Sequence, residues 1–278
     1  MAQPAGIGGV PDGDAITDHL GDAWRRFEWA NSEGEAFSNL SKQLARPEAY
    51  SIWSERDGDH WEASFHRLIE PAAEAQLLAE LARSLGSFLD HARAALNYLT
   101  YQLALLAIRT NPSLEGDLKP DTVEFPIFTD EADFRKKNRI KKLPDEYREF
   151  IEEIQPYKAP RDGLVLLHEL GREYRHRVLH TAAISPAEDL YHALIDGTAY
   201  AIPDAEIIPR ERLEHGDVLM RFSLPNIDPN ADVKPQIVLT VGIDHVLCRG
   251  LIGTSVLQQI ASEVHSTLGL AQAAFFSD

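Results

Sequence analysis

Imidazoles, guanidiniums and carboxylates recur at helical spacing in one stretch of the chain, Asp162 to Thr181, DGLVLLHELGREYRHRVLHT. His168, Arg172, His176 and His180 stand four apart, so on a helix they share one slowly drifting face. Leu166, Leu167, Leu170, Tyr174, Val178 and Leu179 supply the packing side. Such a ridge can do two kinds of chemistry. An imidazole can take or return a proton while a guanidinium steadies charge on an oxyanion. Alternatively, His176 and His180 can ligate a metal, with Glu169 and Glu173 on an adjacent face and Asp90 and His91 facing them from a second helix. The metal reading fails on pattern. No Glu-x-x-His pair occurs on two helices, and after His168-Glu169-Leu170 it is Arg172 that stands where HExxH needs its second His. Three neighbouring arginines would repel a cation, so no metal and no cofactor is expected. The plainest reading of the ridge is a solvated polar face paired with Asp90 or Glu169.

A second concentration of charge is FRKKNRIKKL, Phe134 to Leu143, which holds Arg135, Lys136, Lys137, Arg139, Lys141 and Lys142. It reads either as a phosphate-backbone contact or as a charged loop that compensates local acid. Phe134 is its one aromatic, so a base-stacking platform is not expected. Cys248, among Val246, Leu247 and Leu251, reads as a core thiol. Ser185 and Ser255 have no G-x-S-x-G context, which argues against hydrolase chemistry of that type.

The elements that must position these groups follow from periodicity. A helix capped by Thr17 or Asp18 is expected to run to about Leu44, loosened at Asn31 to Glu35. Tyr50 to Phe65 alternates about Arg56-Asp57-Gly58-Asp59, which is β-hairpin chemistry. The longest apolar stripe runs from Pro71 to about Arg109, with Asp90, His91, Arg93 and Asn97 on its polar side. A single helix there would be about 58 Å long, so a break is expected. Gly86 marks a close helix crossing or a kink. Phe125-Pro126-Ile127-Phe128 anchors the following loop to the core, and a short helix over Asp145 to Ile154 comes next. The ridge helix is expected to continue to about Ala183. Beyond Tyr191, strands are expected over Thr198 to Ile202, Ile207-Ile208, Val218 to Leu224 and Gln236 to Val241, then a closing helix from about Thr254. This order gives an α+β fold with no βαβ alternation and no glycine-rich phosphate loop. The expected segments are a flexible tail over 1–15, a helical bundle with an inserted hairpin over 16–190, and a strand-rich part with a closing helix over 191–278.

The totals narrow the function. The 278 residues are 44% hydrophobic and carry a formal net charge of −17. So acidic a chain is a poor general binder of nucleic acid or membrane surface, although a local basic site is allowed. One cysteine excludes an internal disulfide and fits a reducing cytosol. No apolar run suits a membrane span, and the start lacks signal-peptide character, so a cytoplasmic address is expected.

Arg175-His176 followed by His180 resembles the R-x4-6-H motif of HEPN-domain proteins, which are helical bundles. Arg210 to His215 and Arg161 to His168 also match the spacing. Only Arg175 adds a polar second residue and a mid-helix position. The resemblance implies a metal-independent ribonuclease acting as a homodimer. His180 would serve as general base or acid, Arg175 or Arg177 as the phosphate partner, and His176 as support. A wider segment, GSFLDHARAALNYLTYQL from Gly86, is similar to the GDALHNLRSALDHLVYQL-like segment of a large uncharacterised bacterial family with a HEPN-like bundle. FPIF with its following basic stretch, IQPY, and His176-Arg177 through His180 look like further landmarks of that family. The chain departs at Asn97 and Tyr98, where the family has Asp-His. In this alignment Arg175 matches a Lys, which makes Arg177 the rival phosphate partner.

The expected function is therefore RNA binding or cleavage. Arg175, His176, Arg177 and His180 would do the chemistry, with Asp90, His91, Arg93, Arg135, Lys136, Lys137 and Arg139 as contacts. The alternative is a non-enzymatic bundle that binds a small ligand or a protein partner.

Overall fold

The computed structural model describes residues 20–176, 181–186, 192–202, 205–208, 213–224, 228, 231–236, 239–243, 245–248 and 251–276. The fold is α+β. Helix α1 (Gly21–Leu44) lies along α2 (Pro71–Thr110), and α5 (Asp162–His176) and α6 (Gly253–Phe275) complete the helical layer. Two short helices, α3 (Glu131–Lys137) and α4 (Asp145–Glu153), sit in the connection between α2 and α5.

The core gathers about α2. Its Leu81, Leu85, Phe88, Leu96, Leu99 and Leu103 are buried at helical spacing. Phe27, Phe37 and Leu44 of α1 and Val256, Ile260, Val264 and Leu268 of α6 join the same cluster. Each such side chain contributes about 2–3 kcal/mol by leaving water.

Helix α2 runs unbroken for 40 residues, about 60 Å, so the expected break is absent. Its buried positions extend from Leu81 to Ala107, because other elements cover it in succession along its length. The exposed first turn is braced from outside by Glu74, which accepts from Tyr50 Oη at 3.0 Å and faces Arg67 Nε at 3.1 Å. Helix α1 is likewise continuous through Asn31 to Glu35. There Gly34 stands against the Phe88 ring, and Ser84 Oγ donates to the Glu33 carbonyl at 2.9 Å.

Strands β1 (Tyr50–Asp57) and β2 (His60–Arg67) form the expected hairpin, and Gly58 takes φ +62° at its turn. Part of the strand-rich tail extends the hairpin sheet. Strand β7 (Val218–Ser223) adds to β2, and β6 (Glu206–Ile207) adds to β7, all antiparallel. The hairpin buries Trp61, Ala63 and Phe65 on one face, and β7 continues that face with Met220 and Phe222. Trp61 and Phe222 are register partners whose rings stack 6.3 Å apart. A second sheet has the order β5 (Thr198–Ala201), β4 (His192–Ile195), β8 (Val233–Gln236). Ser54 Oγ on β1 donates to the Val233 carbonyl at 2.7 Å, which ties β8 to the hairpin.

The ridge helix ends sooner than its pattern suggests. Helix α5 reaches His176, and Thr181–Pro186 is strand β3, paired with β9 (Leu239–Ile243). β-branched Thr181 and Ile184 pair with Ile243 and Val241, so β pairing overrides helical periodicity there. Arg177 and His180 lie outside the described residues.

Candidate functional site

Helices α2 and α5 approach closely because Gly86 has no side chain. A Cβ at that position would lie 1.9 Å from Tyr174 Cζ, far inside contact distance. At the other end of α5, Gly163 does the same against the backbone of Gln259 on α6. The two glycines hold α5 tightly against its neighbours, and Leu167 and Leu170 are buried between them. Arg161 Nη1 and Glu263 Oε2, 2.7 Å apart and both largely covered, add a charged tie from the start of α5 to α6.

About one turn along from Gly86, the helices part around a crevice of about 220 Å³. Leu89, Asp90, Arg93, Ala94 and Asn97 line it from α2; Leu167, His168 and Gly171 line it from α5. Asp90 is exposed at the rim, while Arg93, Asn97 and His168 are half-buried. Gly171 widens the opening, since a Cβ there would meet no atom within 4 Å.

Two of the crevice residues are fixed by the loop behind them. Arg93 Nη2 donates to the Phe125 carbonyl at 2.6 Å, and Asn97 Oδ1 accepts from the Phe125 amide at 3.1 Å. The Phe125 ring itself is fully buried. Gln155, also fully buried, engages the residues that follow. Its Nε2 donates to the Pro126 carbonyl and its Oε1 accepts from the Phe128 amide, both at 3.0 Å. Among the described residues the extended FPIF backbone has no strand partner, and three side chains satisfy four of its polar groups. Asn97 thus has a structural task that an Asp could also perform.

The remaining candidates divide. Arg175 and His176 occupy the last turn of α5, directly after Tyr174. His91 turns away from the crevice toward α1, where its Nδ1 lies 3.4 Å from Arg26 Nη1. Among the ridge charges, Arg172 pairs with Glu169 at 2.5 Å and Glu173 faces His245 Nε2 at 3.1 Å. His245 Nδ1 accepts from the Leu247 amide at 3.2 Å, so its proton sits on Nε2, where it donates to Glu173. This contact docks the strand-rich part onto α5, and no periodic signal in the sequence announces it.

The basic stretch is largely neutralised. Arg135 pairs with Glu131 at 2.5 Å, Lys137 with Asp133 at 2.8 Å, and Arg139 with Glu124 at 2.6 Å. Lys141 and Lys142 donate to the carbonyls of Lys136 and Asp117. The Glu131 carboxylate raises the already high pKa of Arg135 further. Three of its six cations thus face carboxylates of their own neighbourhood, and two more are tied to backbone carbonyls. Part of the expected loop is helix α3, opened by Asp130, whose Oδ1 accepts from the Asp133 amide at 2.9 Å.

Cys248 is buried as expected, and its surroundings push the thiol up to about 11. Among the described residues no three His, Cys, Asp or Glu side chains converge at a spacing that would hold a metal ion. No helix among them is long and apolar enough to cross a membrane.

No protein-family model, curated protein or solved structure matches the chain.

Proposed function

We propose that this protein is a helical-bundle binding protein that takes a small polar ligand in the crevice between α2 and α5. The observation that carries this reading is the convergence of Asp90, Arg93 and Asn97 from α2 with His168 from α5 around one opening. Arg93 and Asn97 are held in place by Phe125 before any ligand arrives, which lowers the ordering cost of binding. The donor set suits a carboxylate or phosphoryl oxygen near Arg93 and His168, with an amine or hydroxyl near Asp90. The volume suits a ligand on the order of ten non-hydrogen atoms. The paired basic stretch and the net charge of −17 favour such a ligand over a long polyanion.

A second reading follows from the place of Arg175 and His176. They directly follow Tyr174, which packs on Gly86, at one end of the same pair of helices. In a HEPN-like protein that acts on RNA, Arg175 or Arg177 would hold the phosphate. His180 would exchange the proton of the attacking 2′-hydroxyl, with a second copy completing the site.

One pair of measurements separates the two. A metabolite library is screened by thermal shift and native mass spectrometry against wild type and Gly171→Leu, which fills the crevice from an open position. The binding reading expects a bound small molecule that Gly171→Leu loses without loss of fold. Labelled RNA is then incubated with wild type and His180→Ala in EDTA. Cleavage leaving cyclic phosphate ends, absent in the variant, overturns the binding reading in favour of the nuclease. If the library yields no ligand sensitive to Gly171→Leu, the binding reading fails whatever happens to the RNA.

A further inference from the structure

On the face of α2 that meets α1, away from the crevice, three side chains gather about one guanidinium. Arg26 Cζ lies over the ring of Trp29 at 4.9 Å and over that of Tyr98 at 5.6 Å. Its Nη1 is 3.4 Å from His91 Nδ1, and the His91 and Trp29 rings meet edge to face at 5.5 Å. Trp29 is nonetheless 45% exposed, so much of the indole remains open to solvent.

The charge balance here is unusual for so acidic a chain. Neighbouring arginines have carboxylates: Arg25 pairs with Asp22 at 2.8 Å, and Arg83 faces Glu33 at 3.7 Å. Among the described residues Arg26 makes no ion pair with a carboxylate. Aromatic rings hold it instead, and a guanidinium so held keeps its in-plane donors. One of its five N–H groups faces His91, which leaves a fork suited to two oxygens of an oxyanion. A guanidinium can only donate, so His91 Nδ1 must accept, and the neutral ring then carries its proton on Nε2.

We infer that this seam is a binding site for a nucleoside monophosphate, with the phosphate on the Arg26 fork and the base stacked on the open part of Trp29. An oxyanion alone would use the fork but leave the indole uncovered, and a neutral aromatic would leave the cation unmatched. A ligand with an aromatic ring and a phosphate a few ångströms apart matches both. The site uses a different face of α2 from the crevice and does not depend on the reading given there.

The test is calorimetric titration of the full chain with adenosine monophosphate, adenosine and inorganic phosphate, with Trp29 quenching as a second readout. Saturable binding of the monophosphate is expected, with a dissociation constant on the order of 1 mM or tighter, and at least tenfold weaker binding of either half. Arg26→Gln and Trp29→Ala should each weaken the monophosphate by about tenfold or more. Arg26→Lys should not restore full affinity, because it keeps the charge and loses the fork. Gly171→Leu should leave this binding unchanged. Matching thermal melts would show that the variants fold. No saturable binding, equal binding of inorganic phosphate and the monophosphate, or retained affinity in both Arg26→Gln and Trp29→Ala would overturn the inference.

Discussion

Replacing Gly86 with alanine puts a methyl group where the Tyr174 ring already lies. The nearest ring atom is more than an ångström inside the 3.0 Å that real Cβ contacts keep. Two ring atoms and the hydroxyl oxygen would be overlapped, and they belong to a stiff aromatic on a neighbouring helix. The clash therefore cannot be relieved by swinging a flexible chain end aside. Overpacking of this kind costs about 1–3 kcal/mol, and the rigidity of the ring places it near the upper end. Alanine returns about 1 kcal/mol through its better helix propensity. The net loss should be about 2 kcal/mol, or roughly 4–8 °C in melting temperature for a chain of this size. Urea denaturation of four proteins tests the argument: wild type, Gly86→Ala, Tyr174→Ala and the double variant. In the Tyr174→Ala background the added methyl has room, so Gly86→Ala should be neutral or stabilising by up to about 1 kcal/mol. The coupling between the two positions should then be about 2–3 kcal/mol. A Gly86→Ala protein as stable as wild type, or one equally destabilised in both backgrounds, would refute the close crossing of α2 and α5.

Asn97→Ala removes the acceptor for the Phe125 amide and should cost about 1–2 kcal/mol in urea denaturation, whereas Asn97→Asp keeps an acceptor there and should cost far less. Cys248 should react slowly while the protein is folded. With its pKa moved from 9.0 to about 11, its thiolate fraction at pH 8 is about a hundredfold lower than that of a free thiol, and thiol-reagent kinetics should show this with no inflection near pH 9. Because the folded state holds this proton more tightly, its contribution is fully present below pH 9 and is lost as pH rises toward about 11. Fast labelling of the native protein with an inflection near 9 would contradict the burial.

Periodicity alone determined the α+β order, the hairpin about Gly58, the extent of α2 and the closing helix. These are local properties: a stripe at 3.6 or 2 residues is written into neighbours along the chain. The polar residues Asp90, Arg93 and Asn97 were also legible, since they interrupt the apolar stripe of one helix. What they face was not. The crevice exists because Gly86 and Gly163 let α5 lie close to α2 and α6, and because Phe125 returns over the helix to engage Arg93 and Asn97. These are meetings of residues about 30 to 100 positions apart, and no spacing rule encodes them. Continuity of α2 was likewise a tertiary decision, because packing along its length outweighs the limit that its isolated length suggests. The basic stretch read either as a phosphate contact or as a charged loop that compensates local acid, and the fold sets Glu124, Glu131 and Asp133 beside it. At residue 181, pairing with β9 converted an apparently helical continuation into strand, since hydrogen bonds to a distant partner outweigh local preference.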